Sequence, residues 1–141
     1  MQTYLEEMRI PVRLSCVTEN GWPVVLSLWY TYLDGAIYCA TQTHAKVVSY
    51  LRHEPRCGFE IAADEPPYKG IRGHALAMLE PERGAEILDR LLLRYLGSLD
   101  VPLAVKLRQK AAAEVAIRLQ PVKVFQWDYE KRMASSIVRK P

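Results

Sequence analysis

The residues best suited to chemistry stand where a predicted strand, residues 36–40, runs into a predicted helix that starts near Ala45. Between these two elements lie the hydroxyl of Thr41, the amide of Gln42 and the ammonium of Lys46. The first N–H groups of a helix have no partner within the helix, and the helix dipole is positive at that end. Both features favour a bound anion, and we expect a phosphate with Lys46 as its charged partner. A capped helix with a solvated lysine is the alternative interpretation.

The composition is that of one folded domain spanning residues 1–141. Half of the residues are hydrophobic, which argues against disorder, and the chain is long enough to bury a sizeable core. The net charge of +3 is too small to indicate nucleic-acid binding, and no apolar run is long enough to cross a membrane. The N-terminal residues 1–11 do not resemble a signal peptide. Because Cys16, Cys39 and Cys57 are widely spaced, we expect reduced, buried thiols in a cytoplasmic protein without a structural metal site.

The sequence shows the alternation of apolar and polar residues that is typical of strands, and helical patterns interrupt it. Asn20-Gly21 and Asp34-Gly35 are hairpin turns, and the segment between them is apolar enough to predict burial on both faces. Pro121 predicts a bulge or an edge in the last strand. Long antiparallel strands buried on both faces favour a small closed barrel. The predicted strands are residues 12–17, 24–33, 36–40, 56–63, 69–79 and 115–127, and the predicted helices are residues 3–8, 45–53, 81–96 and 102–112.

Four strings resemble the pyridoxamine 5′-phosphate oxidase-like family of flavin-binding split barrels. They are PVVLSLWYTYLDGAIYCAT, HAKVVSYLRHEPRCGFEI, PPYKGIRGHALAMLE and PVKVFQWDYEKRM, and the resemblance covers residues 9–133. It implies a mainly β (α+β) fold, a six-stranded antiparallel split β-barrel with peripheral helices. It also implies a homodimer with two cofactor sites at the subunit interface.

The resemblance further implies which residues bind the cofactor, which is FMN or, in one branch of the family, the deazaflavin coenzyme F-420. Some of these residues surround the cofactor phosphate, and others border its ring system or reach the partner's site. Thr41 and Lys46 match the phosphate site, Ser27, Leu28 and Trp29 the strand beside the ring, Lys69 and Arg72 the bordering strand, and Trp127 the closing strand.

Three departures separate the chain from the vitamin oxidase that names the family. Val25 and Ala45 stand where the oxidase carries arginines, and the segment after Trp127 is short. The phosphate of pyridoxamine 5′-phosphate needs its own cluster of basic groups, for which few candidates remain. These are Lys69, Arg72 and, from the partner subunit, Lys131 or Arg132. We therefore expect flavin binding without efficient oxidation of pyridoxamine 5′-phosphate.

Two classes of function stay open, and both use a bound cofactor. The first is an oxidoreductase that uses FMN or a deazaflavin on an unknown small organic substrate. The second is a non-catalytic module that binds a flavin or a haem. Because the cofactor performs the redox chemistry, no acid–base residue need be prominent, and the sequence indicates no catalytic residue. Trp29 either stacks on the cofactor ring or fills the barrel, and we expect a substrate to lie between Trp29 and the small residues Gly73, Ala75 and Ala77.

Overall fold

Seven antiparallel strands form one sheet in the computed structural model, which describes residues 1–130. The sheet order is β2-β1-β5-β6-β7-β4-β3. The strands are β1 Val12–Val17, β2 Pro23–Leu28, β3 Thr31–Leu33, β4 Ala36–Gln42, β5 Arg56–Ala62, β6 Lys69–Glu80 and β7 Glu114–Asp128. The helices are α1 Gln2–Glu7, α2 Lys46–His53, α3 Gly84–Leu96 and α4 Pro102–Arg108, with short 3-10 turns at Pro81–Arg83 and Ala111–Ala113.

The two ends of the sheet are formed by one chain segment, which closes the barrel. The predicted strand 24–33 is in fact two strands, because it breaks at Trp29 and Tyr30. Its first half pairs with β1 and its second half pairs with β4. At the break, the N–H of Tyr30 donates to the phenol of Tyr95 at 3.2 Å instead of to a strand. The predicted count of six strands is therefore corrected to seven.

The prediction that the second strand is buried on both faces is wrong. In β2 the side chains alternate between exposed and half-buried, and Val25 is 71% exposed. The physical reason is that nothing among residues 1–130 covers the outward face of β2, which is also an edge strand with β1 on one side and no paired strand on the other. Its exposed side chains are the apolar Pro23 and Val25 and the polar Ser27.

The long strands β6 and β7 carry the bulge that Pro121 predicts. Pairing shifts register between His74 and Ala75, so that His74 faces Lys123 and Ala75 faces Pro121. The small residues Gly73, Ala75 and Ala77 all point into the barrel core. A Cβ added at Gly73 would lie 3.0 Å from the Phe59 ring. The large group that packs on the inner side of this strand is therefore a core phenylalanine. Gly73 and Ala75 also line two grooves that do not include Trp29, so a substrate between Trp29 and these residues stays a prediction.

The helices pack at two different places. Val47, Val48 and Leu51 of α2 join the interior cluster of the barrel, together with the three cysteines. Helix α3 packs on the outer side of β4 and β7, and Gly97 ends it in the left-handed conformation, as predicted. The three cysteines are free and buried, as predicted, and burial raises the pKa of Cys57 to about 12.

Candidate functional site

A cleft opens where the broken second segment passes β4. One wall is the end of β2 with the residue that follows it, and the other wall is the end of β4. The cleft has a volume of about 370 Å³. Its walls are Ser27, Leu28 and Trp29 on one side and Ala40, Thr41 and Gln42 on the other. Four of the predicted cofactor residues, Ser27, Leu28, Trp29 and Thr41, therefore lie together.

The walls of this cleft are strand edges that do not pair with each other. β4 pairs with β3 only as far as Tyr38, whereas its pairing with β7 continues to Gln42. β2 pairs with β1 alone, and within residues 1–130 no ladder joins β2 to β4. Strand edges carry main-chain N–H and C=O groups that seek partners. The cleft therefore suits a flat heterocycle whose rim carries hydrogen-bonding atoms.

Trp29 borders the cleft, but one face of its ring already packs on another aromatic side chain. Its indole stacks on Tyr95, with ring centroids 4.9 Å apart and planes 5° apart. The same tyrosine accepts the N–H of Tyr30 and donates to the carbonyl of Ile10 at 2.9 Å. Tyr95 thus holds the break in the strand open and fixes Trp29 at the cleft wall. A ligand ring could contact only the remaining face or edge of the indole.

Lys46 is the first residue of α2 and lies beside a different pocket. That pocket, of about 510 Å³, lies between α2 and the hairpin that joins β1 to β2, and Trp22 and Tyr50 also line it. The helix has no side-chain cap at Ala45 and no acidic residue in its first turn. The carboxylate of Glu19 lines the same pocket and accepts a hydrogen bond from Ser49 at 3.0 Å, so anion binding at this first turn stays a prediction. Lys46 and Thr41 are separated by a tight turn, in which the N–H of Ala45 donates to the carbonyl of Gln42 at 3.0 Å.

The remaining predicted residues meet at the other end of the sheet. Lys69 and Trp127 line a pocket of about 340 Å³ where β6 pairs with β7. The guanidinium of Arg72 lies 5.3 Å from the centre of the Trp127 ring. Gly70 makes this packing possible, since a Cβ there would approach the Trp127 ring to 2.8 Å. Arg72 itself lines a separate groove on the outward face of the sheet, so the chain places its predicted residues in four pockets. Lys131 and Arg132 lie outside the described residues.

Gln42 and Glu114 form a pair of candidate functional residues at the cleft that the sequence did not predict. The amide Nε2 of Gln42 donates to Oε2 of Glu114 at 2.6 Å, and both residues line the cleft. Glu114 is only 7% exposed. Burial raises the pKa of its carboxyl, and the hydrogen bond from Gln42 offsets part of that rise. The sequence feature that could have indicated Glu114 is its position as a lone glutamate, preceded by three alanines, at the start of an apolar strand.

Two negative findings concern metals and membranes. Among residues 1–130, no group of three His, Cys, Asp or Glu side chains is arranged to hold a metal ion. In that same part of the chain, no helix has the length and apolar character needed to cross a membrane.

The fold is shared with solved structures at low sequence identity. The conserved hypothetical protein Rv2991 of Mycobacterium tuberculosis has a TM-score of 0.79 at 21% identity, over 94% of this chain and 84% of that chain. An F-420 reductase has a TM-score of 0.72 at 20% identity, over 86% and 94%. A Listeria innocua protein provisionally assigned as a pyridoxamine 5′-phosphate oxidase has a TM-score of 0.67 at 17% identity, over 88% and 92%. No protein-family profile and no curated protein matches the chain. These likenesses confirm the split-barrel fold that the sequence resemblance implied.

Proposed function

We propose that the protein is an oxidoreductase that binds a flavin-type cofactor, FMN or the deazaflavin coenzyme F-420, and acts on a small organic molecule. The observation that carries this proposal is the cleft between β2 and β4. Its two open strand edges offer hydrogen-bonding groups on both sides of a slot with mainly apolar walls. The bound cofactor would supply the redox chemistry, and the protein would supply the slot and the anchor for the phosphate.

The first turn of α2 supports the phosphate anchor. It follows directly from β4, so the chain leads from the cleft wall to the helix start within four residues, Gln42 to Lys46. An uncapped helix start and an exposed lysine together favour a phosphate group. Thr41 stands at the cleft end of this connection, where its hydroxyl can contact the same part of the cofactor.

A homodimer is part of the proposal, because the outward face of the sheet is open and carries exposed apolar side chains beside charged residues such as Arg13, Arg56 and Glu60. Two grooves of about 580 Å³ each cross this face. Its exposed apolar side chains are Val25, Leu76, Met78, Val122 and Phe125. An apolar face of this kind usually marks an interface, and a two-fold dimer covers it with a second copy. A partner could then bring its Lys69, Arg72 and Trp127 towards the cleft, which would explain why one protomer does not gather them.

The solved structures support both cofactors. The F-420 reductase and the provisionally assigned pyridoxamine 5′-phosphate oxidase have this fold at similar TM-scores. The deciding experiment is an absorbance spectrum of the freshly purified protein, repeated after addition of FMN and of coenzyme F-420. A perturbed spectrum with one cofactor supports the proposal and identifies the cofactor. If neither spectrum changes and neither cofactor raises the melting temperature, the proposal is wrong.

A further inference from the structure

Glu114 stands apart from the other buried or paired carboxylates of the described chain because it has no cationic partner. The ion pairs within residues 1–130 involve Glu54, Glu80, Glu86 and Asp89, each with an arginine. Glu114 is nevertheless 7% exposed, and its side-chain hydrogen bond comes from the neutral amide of Gln42. A buried carboxylate without a cation is costly, and a protonated carboxyl in the same place costs less. The surroundings therefore favour the uncharged acid.

The position of Glu114 is held by close main-chain packing. It begins β7, where it pairs with Gln42 at the end of β4. The first residue of α3, Gly84, presses on its main chain, since a Cβ there would lie 2.0 Å from the carbonyl oxygen of Glu114. Thr43 adds a main-chain hydrogen bond to the carbonyl of Ala113 at 2.9 Å. The strand start, and with it the base of the side chain, is thus set between two elements.

One oxygen of this carboxyl has no partner among the described residues. Gln42 binds Oε2, and no hydrogen bond reaches Oε1. Oε1 is not fully buried either. The fully buried side-chain atoms without a partner in the described chain are one oxygen of Glu80 and the Nε atoms of Arg94 and Arg118. Leu88, Leu91 and Leu107 line the same cleft without polar groups. Glu114 is thus a hydrogen-bonding group set among apolar walls.

We propose that Glu114 contacts the molecule bound in the cleft, and that its uncharged carboxyl donates a hydrogen bond to an acceptor atom on the rim of that molecule. The inference rests on the proposed function, because that molecule is taken to be the flavin-type cofactor. Gln42 orients the carboxyl by binding Oε2, which leaves the proton for the ligand. A charged carboxylate at this place would instead repel an electron-rich rim.

The test compares Glu114→Gln with Glu114→Leu, because glutamine keeps a hydrogen-bond donor and leucine does not. The affinity of each variant for FMN and for coenzyme F-420 is measured by titration. Glu86→Leu, at an exposed position of α3, is the control. We expect Glu114→Gln to bind within about threefold of the wild type and Glu114→Leu to bind at least about tenfold more weakly, as for one lost hydrogen bond. Wild-type affinity in the leucine variant overturns the inference, and so does an equal loss in both variants.

A second readout does not depend on the leucine variant being folded. Infrared difference spectra of the protein with and without the cofactor should show a protonated-carboxyl band that shifts on binding. The band should be missing in Glu114→Gln. If wild-type protein binds the cofactor without this band, the inference fails and the proposed function stands. If wild-type protein binds neither cofactor, the proposed function fails and the inference fails with it.

Discussion

Lys46 combines a positive charge with the uncapped first turn of α2, and so offers an anion two favourable contacts at one place. We expect Lys46→Ala to weaken binding of the phosphate-bearing cofactor by about ten- to a hundredfold, or roughly 1.5–3 kcal/mol, because a charge-assisted contact is lost. The measurement is a cofactor titration followed by fluorescence.

Arg52 provides the control for this variant. It lies in the last turn of the same helix, with an exposed side chain far from the uncapped end. Arg52→Ala should bind the cofactor as the wild type does. Equal affinity of Lys46→Ala and Arg52→Ala would mean that the phosphate binds elsewhere.

Glu114 also makes a prediction about stability and pH. Burial raises the pKa of its carboxyl in the folded state above the value of about 4.3 for an unfolded chain. Below the unfolded pKa both states are protonated, and the stability is unaffected. As the pH rises through the folded pKa, the unfolded state gains by ionising and the protein loses stability. Glu114→Gln removes this loss, so its free energy of unfolding should exceed that of the wild type near neutral pH and match it near pH 3.

Glu86→Gln is the control with the opposite sign, measured by urea unfolding across the same pH series. Arg83 donates to the Glu86 carboxylate and holds its pKa below the usual value, with burial opposing. That carboxylate stabilises the fold above the unfolded pKa and loses its effect as the pH falls. Glu86→Gln should therefore be slightly less stable than the wild type at neutral pH and equal to it in acid. Parallel curves for the two variants would contradict the assignment of Glu114.

Single residues of the candidate site were predictable where they lie close together in the chain. The run from Thr41 to Lys46 shows its polar character and its strand-to-helix position directly in the sequence. Glu114 could not be found in this way, because its partner Gln42 is 72 positions away and only the pairing of β4 with β7 brings them together. Trp29 was predictable as a wall residue, but not its stacking on Tyr95.

Strands β5 and β6 contain two glycines whose surroundings differ sharply. A Cβ at Gly73 would lie 2.0 Å from the carbonyl oxygen of Lys123, whereas at Gly58 the nearest atoms are 3.7 Å away. We expect Gly73→Ala to lower the free energy of unfolding by about 2 kcal/mol or more, because the bulged strand must move. Gly58→Ala should be neutral or slightly stabilising, since alanine restricts the unfolded chain more than glycine does.

Thermal and urea unfolding of the two glycine variants measure the difference. Gly58 lies on the outward face and is paired with His74, so the two variants probe the same pair of strands from opposite sides. Similar losses in both variants would show that the tight approach at Gly73 does not limit stability. Retained stability in Gly73→Ala would show that the β7 bulge can shift at little cost.

Elements were largely predictable, because hairpin glycines, prolines and periodicity act over short distances. Both hairpin turns, the bulge at Pro121 and the Gly97 helix end are present in the structure. The break at Trp29 and Tyr30 was not predictable, because the tyrosine phenol that replaces strand pairing comes from α3. Two-sided burial of β2 was mispredicted, because the apolar side chains of a strand can also lie on an outward face that no element of residues 1–130 covers.

Association of whole molecules should depend on the outward face of the sheet. We expect a homodimer at micromolar concentration, and Val122→Glu should weaken it at least about tenfold, because a two-fold axis places two buried carboxylates in one interface. Val122 is the extra residue of the bulge and is 65% exposed. Leu103→Glu on α4, at a site that is 47% exposed, is the matched control and should remain dimeric.

Sedimentation velocity over a concentration series distinguishes these outcomes. A wild-type protein that sediments only as a monomer would contradict the dimer. Dissociation by Leu103→Glu with no effect of Val122→Glu would place the interface on the helical side instead.

The protein as a whole should bind a flavin-type cofactor without efficiently oxidising pyridoxamine 5′-phosphate. No lysine or arginine lines the cleft within the described chain, and its titratable wall residue is the acidic Glu114. The guanidinium of Arg13 donates to the hydroxyl of the wall residue Ser27 at 2.8 Å, so one cation is close, but a substrate phosphate would lack a cluster of cations there. With FMN and oxygen supplied, we expect formation of pyridoxal 5′-phosphate well below the usual enzymatic rate of about 1 per second. Turnover at or above that rate would restore the vitamin-oxidase function.

The two open strand edges of the cleft have a consequence for solubility. An unpaired edge is a template on which a strand of another molecule can add, and this is a common start of aggregation. Here β2 and β4 present two such edges across one narrow slot. A molecule bound between them would cover both edges at once. Its binding would therefore reduce aggregation in addition to any part it takes in a reaction.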